Sequence, residues 1–317
     1  MNEIYLLNHA IFSAFLSLTI IEVGISLLGL RNYKRYWNIM KPYLMPMWEI
    51  NGTFAVFYVV AFEAMYPSLL GLVGTIYIIP ALIAALFFIL RNAFLAYSEY
   101  IGDDLRERRL VRVYSISTLV VAVLALSIFT SSVSGSGINI LAQSISSSFI
   151  VNSFNILAIA SVLLIAAFGA RVLFGFVEGR FWDMFFAALG IIFMITAVAL
   201  GPSYMLYNIK SAEGFSLFVF EIAFLFVIEV LHLLGKKSAR ILVIPWLFSA
   251  VMAFSIFQYP YMFGGQINAV FYSTSGAIAG YVVFITLAGF LILALSLGTL
   301  AYITSRKPVS QRTRKKA

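Results

Sequence analysis

Long, uninterrupted apolar runs constrain the fold of this chain more than any other feature. Bounded by charges, glycines and prolines, they fall near 5–30, 49–68, 71–91, 111–133, 152–173, 181–201, 215–235, 239–258 and 279–304. Each is close to the roughly 20 residues that a helix needs to cross a hydrocarbon core of about 30 Å. A membrane β-barrel would show alternating segments of about 10 residues instead. Of 317 residues, 62% are hydrophobic and 11% charged, whereas soluble domains average about 45–50% and about 25%. So much apolar surface would drive aggregation in water, so lipid must be the main solvent. The expectation is an all-α polytopic membrane protein of about nine transmembrane helices, with no room for a sizeable soluble domain.

Cations set the expected orientation, because Lys and Arg near helix ends accumulate on the cytoplasmic side. With the N-terminus outside, the inner segments hold Arg31, Lys34, Arg35 and Lys41, then Arg91, Arg106, Arg108, Arg109 and Arg112. Arg171 and Arg180 follow, then Lys236, Lys237 and Arg240, then Arg306, Lys307, Arg312, Arg314, Lys315 and Lys316. Only Lys210 of the 21 Lys and Arg residues falls outside. A miscounted helix would scramble this alternation. The net charge of +8 therefore reads as a topology signal. A tail anchored on anionic headgroups accounts for RKPVSQRTRKKA better than nucleic-acid binding does. No cation precedes Arg31, so the first apolar run reads as a retained helix rather than a cleaved signal. Cysteine is absent, which excludes disulfides and thiolate-bound metal centres within the chain.

The expected organisation is a first four-helix membrane bundle over 1–133, an external Ser-rich loop over 134–151, and a second four-helix bundle over 152–258. An external loop and ninth helix over 259–305 and a basic cytoplasmic tail over 306–317 complete it. Trp48-Glu49 and Trp182-Asp183 open helices four apart from the same side, which is the signature of two parallel halves.

Ionisable groups inside a span cost about 2.5–3.5 kcal/mol on insertion scales, so each needs a reason. Glu22 lies nine residues before Arg31, about 13 Å from the inner boundary, with no cation near it in sequence. Glu49 stands where the second helix leaves the cytoplasmic face, and Arg91, read as the end of the third helix at the same depth, is its expected partner. Glu63, Glu221 and His232 read as structural polar groups, and Glu229 can share a face with His232 at i+3. His9 and His232 fall near opposite membrane faces, so they cannot grip one haem iron between them. Phosphate-binding GxxxxGK[ST], HExxH and Ser/His/acid signatures are missing.

The stretch MWEINGTFAVFYVVAFEAMYPSLLGLVGTIYIIPALIAALFFILRNAF at 47–94 resembles subunit II of the cytochrome bd quinol oxidases. The shared features are Trp48-Glu49-Ile50-Asn51 as the W-[DE]-x-N motif, Tyr66-Pro67 at a hairpin, and Arg91. Glu22-Val23-Gly24 resembles the family's first acidic element, with Ile20-Ile21 before it in place of Gly-Phe, and Tyr259-Pro260 matches the closing pattern. The resemblance implies two four-helix bundles plus a ninth helix, paired with a haem-bearing subunit I in a prokaryotic plasma membrane. It implies no haem in this chain, haems b and d in the partner, quinol as the substrate of the complex, and room for a small single-helix subunit. It also implies a proton route from the cytoplasm, carried here by Glu49 and Glu22 with Trp48, Asn51, Arg91 and Glu229 in support. The alternative reading is a polytopic proton-coupled transporter; its usual inverted repeats conflict with parallel halves.

Overall fold

A computed structural model describes residues 3–31, 33–100, 104–176, 178–274 and 277–306. Most of the tail, 307–317, lies outside the described residues. The helices are α1 (Glu3–Arg31), α2 (Tyr33–Met65), α3 (Pro67–Ile76), α4 (Ile78–Tyr100), α5 (Asp104–Ser134), α6 (Ser153–Phe174), α7 (Arg180–Ala199), α8 (Ser203–Lys210), α9 (Ala212–Leu233), α10 (Ser238–Gln258) and α11 (Ala277–Arg306). Eight of them are long and apolar enough to cross a membrane, and the bent α2 makes a ninth span if its two arms are one crossing. An all-α polytopic fold is thus borne out.

Three local readings differ. The segment expected to be a loop before the second span is helical from Tyr33 onward and meets the span at a 55° bend between Leu44 and Pro46. Proline explains the bend, because Pro46 has no N–H to give the preceding turn and its ring crowds the carbonyl four residues back. The first arm is amphipathic: Tyr36, Trp37, Met40, Tyr43 and Leu44 are buried, while Lys34 and Arg35 face outward. The hairpin at Pro67–Gly71 is a short helix, α3, begun by Pro67 in the first helical position, where its missing N–H costs nothing. At 10 residues, α3 is only about half the length needed to span. Lastly, the third span runs over Ile78–Tyr100 rather than ending at Arg91.

Tyr77 marks the joint between α3 and α4. Its hydroxyl lies 2.9 Å from both Ser131 Oγ and Ser132 Oγ, fastening the joint to the end of α5.

The element order repeats. Two long helices, a short one and two long ones (α1–α5) lead into a two-stranded antiparallel hairpin, β1 (Ile138–Asn139) and β2 (Ser144–Ile145). The same sequence of lengths (α6–α10) leads into β3 (Tyr261–Met262) and β4 (Ile267–Asn268). Each short helix follows a proline-bearing turn, at Pro67 and Pro202. The hairpins meet at glycines: a Cβ on Gly135 would lie 2.7 Å from Phe263 O, and one on Gly264 2.6 Å from Ser134 O. Both have φ near +70°, so glycine is needed twice over.

Helix α1 is the centre of the molecule, packed against α2, α5, α6, α10 and α11. Its contact with α6 is unusually close, because a Cβ on Gly24 would lie 2.0 Å from Ala166 O. By contrast, α11 exposes Phe284, Ile285, Leu291, Ile292 and Leu295 to the surroundings. In lipid, such exposure is cost-free.

Candidate functional site

The W-E-x-N stretch explains itself on the helix. Trp48 and Asn51 are three residues apart and share a face, while Glu49 between them does not. Trp48 Nε1 donates to Asn92 Oδ1 of α4 at 2.8 Å. Asn51 Nδ2 donates to Glu22 Oε2 of α1 at 2.6 Å and reaches Thr19 Oγ1 at 3.3 Å. This face of α2 therefore ties α1 to α4.

Glu22 is 1% exposed, and its partner is Arg91, 4% exposed. Arg91 Nη2 donates to both Glu22 oxygens, each at 2.6 Å. Arg91 also stacks over Phe88, its guanidinium carbon 5.0 Å from the ring centroid, and fully buried Tyr114 lies beside the pair. An isolated buried carboxylate would be prohibitively costly, whereas a paired and hydrogen-bonded one is tolerable. The expected Glu49–Arg91 pair is not formed. Arg91 lies nine residues before the end of α4, just as Glu22 lies nine before the end of α1. At 1.5 Å per residue both are about 13 Å in, which puts them at one depth. Glu49, near the start of its span, is exposed and forms no ion pair among the described residues.

Above the pair, a cavity of about 330 Å³ runs past Thr19, Asn51, Phe88 and Arg91 toward Tyr5, His9 and Tyr66. His9 Nδ1, Tyr66 Oη and Gln258 Oε1 are buried along it without a protein partner, so ordered water is their natural complement.

A second ionic cluster went unrecognised from sequence. Asp183, 1% exposed, accepts from Arg171 Nε through Oδ1 and lies 3.2 Å from His232 Nε2 through Oδ2. Arg171 Nη1 also donates to Tyr36 Oη at 3.0 Å, and Arg35 pairs with Glu178 nearby. The cluster joins the first arm of α2 to α6, α7 and α9. The echo of Trp48-Glu49 in Trp182-Asp183 was the available signal. His232 thus bonds to Asp183, and the buried Glu229 lies one turn before it and forms no ion pair among the described residues. Glu221 accepts from Ser249 at 3.1 Å, and Glu63 is exposed.

Among the described residues, no three of His, Asp and Glu cluster as a metal site would require. Of the two histidines, His232 is held by Asp183, and His9 lies tilted against Tyr5 with ring centroids 4.0 Å apart.

Buried, compensated charges within eight or nine apolar spans define a polytopic membrane protein. The chain matches the profile of cytochrome bd terminal oxidase subunit II over residues 4–304, and it belongs to that family. Its fold is similar to a chain of the solved bd oxidase from Geobacillus thermodenitrificans, with a TM-score of 0.75 and 18% identity. That match covers 95% of this chain and 98% of the other. No curated protein sequence gives a significant match. The family makes the chain a multi-pass plasma-membrane subunit of a prokaryotic respiratory quinol oxidase, an oxidoreductase complex that contains haems and a subunit I.

Proposed function

We propose that this chain supports the haem-bearing subunit I without binding haem itself, and supplies part of the route by which cytoplasmic protons reach the oxygen site. The observation that carries the reading is the buried Glu22 carboxylate, held by Arg91 and Asn51, which line the foot of a largely apolar cavity that carries a few buried polar atoms. A carboxyl kept at mid-membrane against its insertion cost needs a role, and a proton relay is the common one. Glu49 is the collecting group at the mouth. Its exposed position on α2 leaves it free to face water at the edge of the chain, and Asn51, two residues on, reaches the Glu22 carboxylate. Trp48 positions α4, Arg91 compensates the relay charge, and Glu229 is a supporting acid in the second half. Haems b and d belong in subunit I under this reading, quinol is oxidised there, and a small single-helix subunit is a further partner. The orientation is N-terminus outside and C-terminus in the cytoplasm. The chain divides into bundles over 1–133 and 152–258, joined by the external loop at 134–151 and closed by 259–305.

The test is turnover of the assembled oxidase. Glu22→Gln keeps the size but cannot exchange a proton, and it leaves Arg91 without its counter-charge, so turnover is read per assembled haem; on that basis oxygen reduction slows by at least tenfold, as expected for a general proton-transfer group. Glu49→Gln slows it as well, and Glu49→Asp restores much of the rate. Wild-type turnover in both Gln variants would remove the proton route. The transporter alternative has no observation in its favour once the family is known.

A further inference from the structure

The α6–α7 and α9–α10 turns lie side by side at one end of the bundle and exchange arginines. Arg180, the first residue of α7, rests on the α9–α10 turn, where a Cβ on Gly235 would be 3.2 Å from its Nη2. Its Nη1 donates to Leu233 O at 2.9 Å. Arg240 of α10 reaches back over the α6–α7 turn so closely that a Cβ on Gly175 would overlap its guanidinium. Lys236 and Lys237 are exposed in the α9–α10 turn. Four cations therefore crowd two adjacent turns, and Arg180 and Arg240 are near enough to repel.

The neighbouring carboxylates are committed elsewhere, Asp183 to Arg171 and His232, and Glu178 to Arg35. Among the described residues, none forms an ion pair with Arg180, Lys236, Lys237 or Arg240. Arg180 Nε is buried and has no hydrogen-bond partner. The first turns of α7 and α10 open at the same place with no side-chain cap, so their free N–H groups add partial positive charge. Exposed apolar side chains flank the cations: Phe181 and Trp182 on α7, Leu234 after α9, and Ile241 on α10. Aromatic residues beside cations at a helix end are the usual furniture of a lipid interface.

We propose that this paired turn binds the phosphate of an anionic phospholipid, with Arg180, Arg240, Lys236 and Lys237 around the headgroup and the acyl chains against the flanking apolar surface. Basic pockets between spans bind anionic headgroups in this way. The bound phosphate offsets the repulsion between the two arginines and fastens the α6–α7 turn to the α9–α10 turn.

The experiment uses the assembled oxidase, stripped of lipid in detergent and titrated with phosphatidylglycerol while native mass spectrometry counts the molecules retained. The wild type retains a phosphatidylglycerol that phosphatidylcholine does not replace and millimolar inorganic phosphate does not displace. Affinity for it falls about fivefold for each cation removed, in Arg180→Gln and in the exposed pair Lys236→Gln/Lys237→Gln. The lysine pair keeps the test decisive if Arg180→Gln fails to assemble. Unchanged retention in the lysine pair, equal retention of phosphatidylcholine, or displacement by inorganic phosphate each overturns the assignment to an anionic lipid.

Discussion

Arg91 compensates a buried carboxylate that pairs with no other cation among the described residues, so its removal separates structural from functional roles. Arg91→Ala leaves Glu22 uncompensated, and breaking a buried pair in this way costs about 3–5 kcal/mol. The expected outcome is a marked loss of thermal stability or of assembled complex, measured by haem content of the purified oxidase. The double variant Arg91→Met/Glu22→Met removes both charges and recovers assembly but not turnover. Recovery of both would mean that the pair is a structural device. Glu22, Asn51, Trp48 and Arg91 were each legible in the sequence as residues needing an account. Their pairing was not, because a cation after an apolar run, here Arg91, looks like the end of a helix. The residues after it, Phe94 and Leu95 among them, continue the helix to Tyr100 and carry Arg91 inward to the depth of Glu22. Glu49 was misassigned a partner for the same reason.

At the scale of elements, proline and glycine decide what hydropathy alone cannot. The long apolar runs were legible because lipid rewards them directly. The first arm of α2 was not, since its buried stripe of Tyr36, Trp37, Met40 and Tyr43 alternates with Lys34, Arg35 and Lys41, which lowers its average hydropathy to that of a loop. The short helix α8 lies in what reads as a turn, and α3 combines the expected hairpin with the first residues of the run at 71–91. Backbone packs directly on backbone where α1 meets α6 at Gly24. Gly24→Ala must push α1 off Ala166, and overpacking of this kind costs about 1–3 kcal/mol. Gly74→Ala on α3, where a Cβ meets nothing within 4 Å, is expected to be neutral or slightly stabilising. Thermal melting of the purified complex separates the two; equal melting temperatures would contradict the packing described for α1.

Across the whole molecule the element order of α1–α5 recurs in α6–α10, with α1 central, the hairpins in contact at Gly135 and Gly264, and α11 exposed at the border. The repeat was visible in sequence only as two dipeptides. Its real markers, the short helices after prolines and the hairpins that meet at Gly135 and Gly264, are features of backbone order that residue identity scarcely records. The proposed orientation rests on charge alone and is open to direct labelling, because the chain has no native cysteine. Leu141→Cys and Phe271→Cys, at exposed positions near the two hairpins, should react with an impermeant maleimide in intact cells, and Lys237→Cys only after lysis. Reaction at 237 in intact cells would invert the topology.

The most direct test of the central claim, a haem-free subunit that contributes a relay carboxyl to an oxidase, is gentle purification of tagged wild-type and Glu22→Gln chains from native membranes. Both should carry a second polytopic chain with b- and d-type haem absorbance, with oxygen reduction compared per haem, while the chain expressed alone shows no Soret band. Only the wild type should reduce oxygen quickly with quinol. A stoichiometric Soret band in the isolated chain, or equal oxygen reduction by the two complexes, would contradict the account.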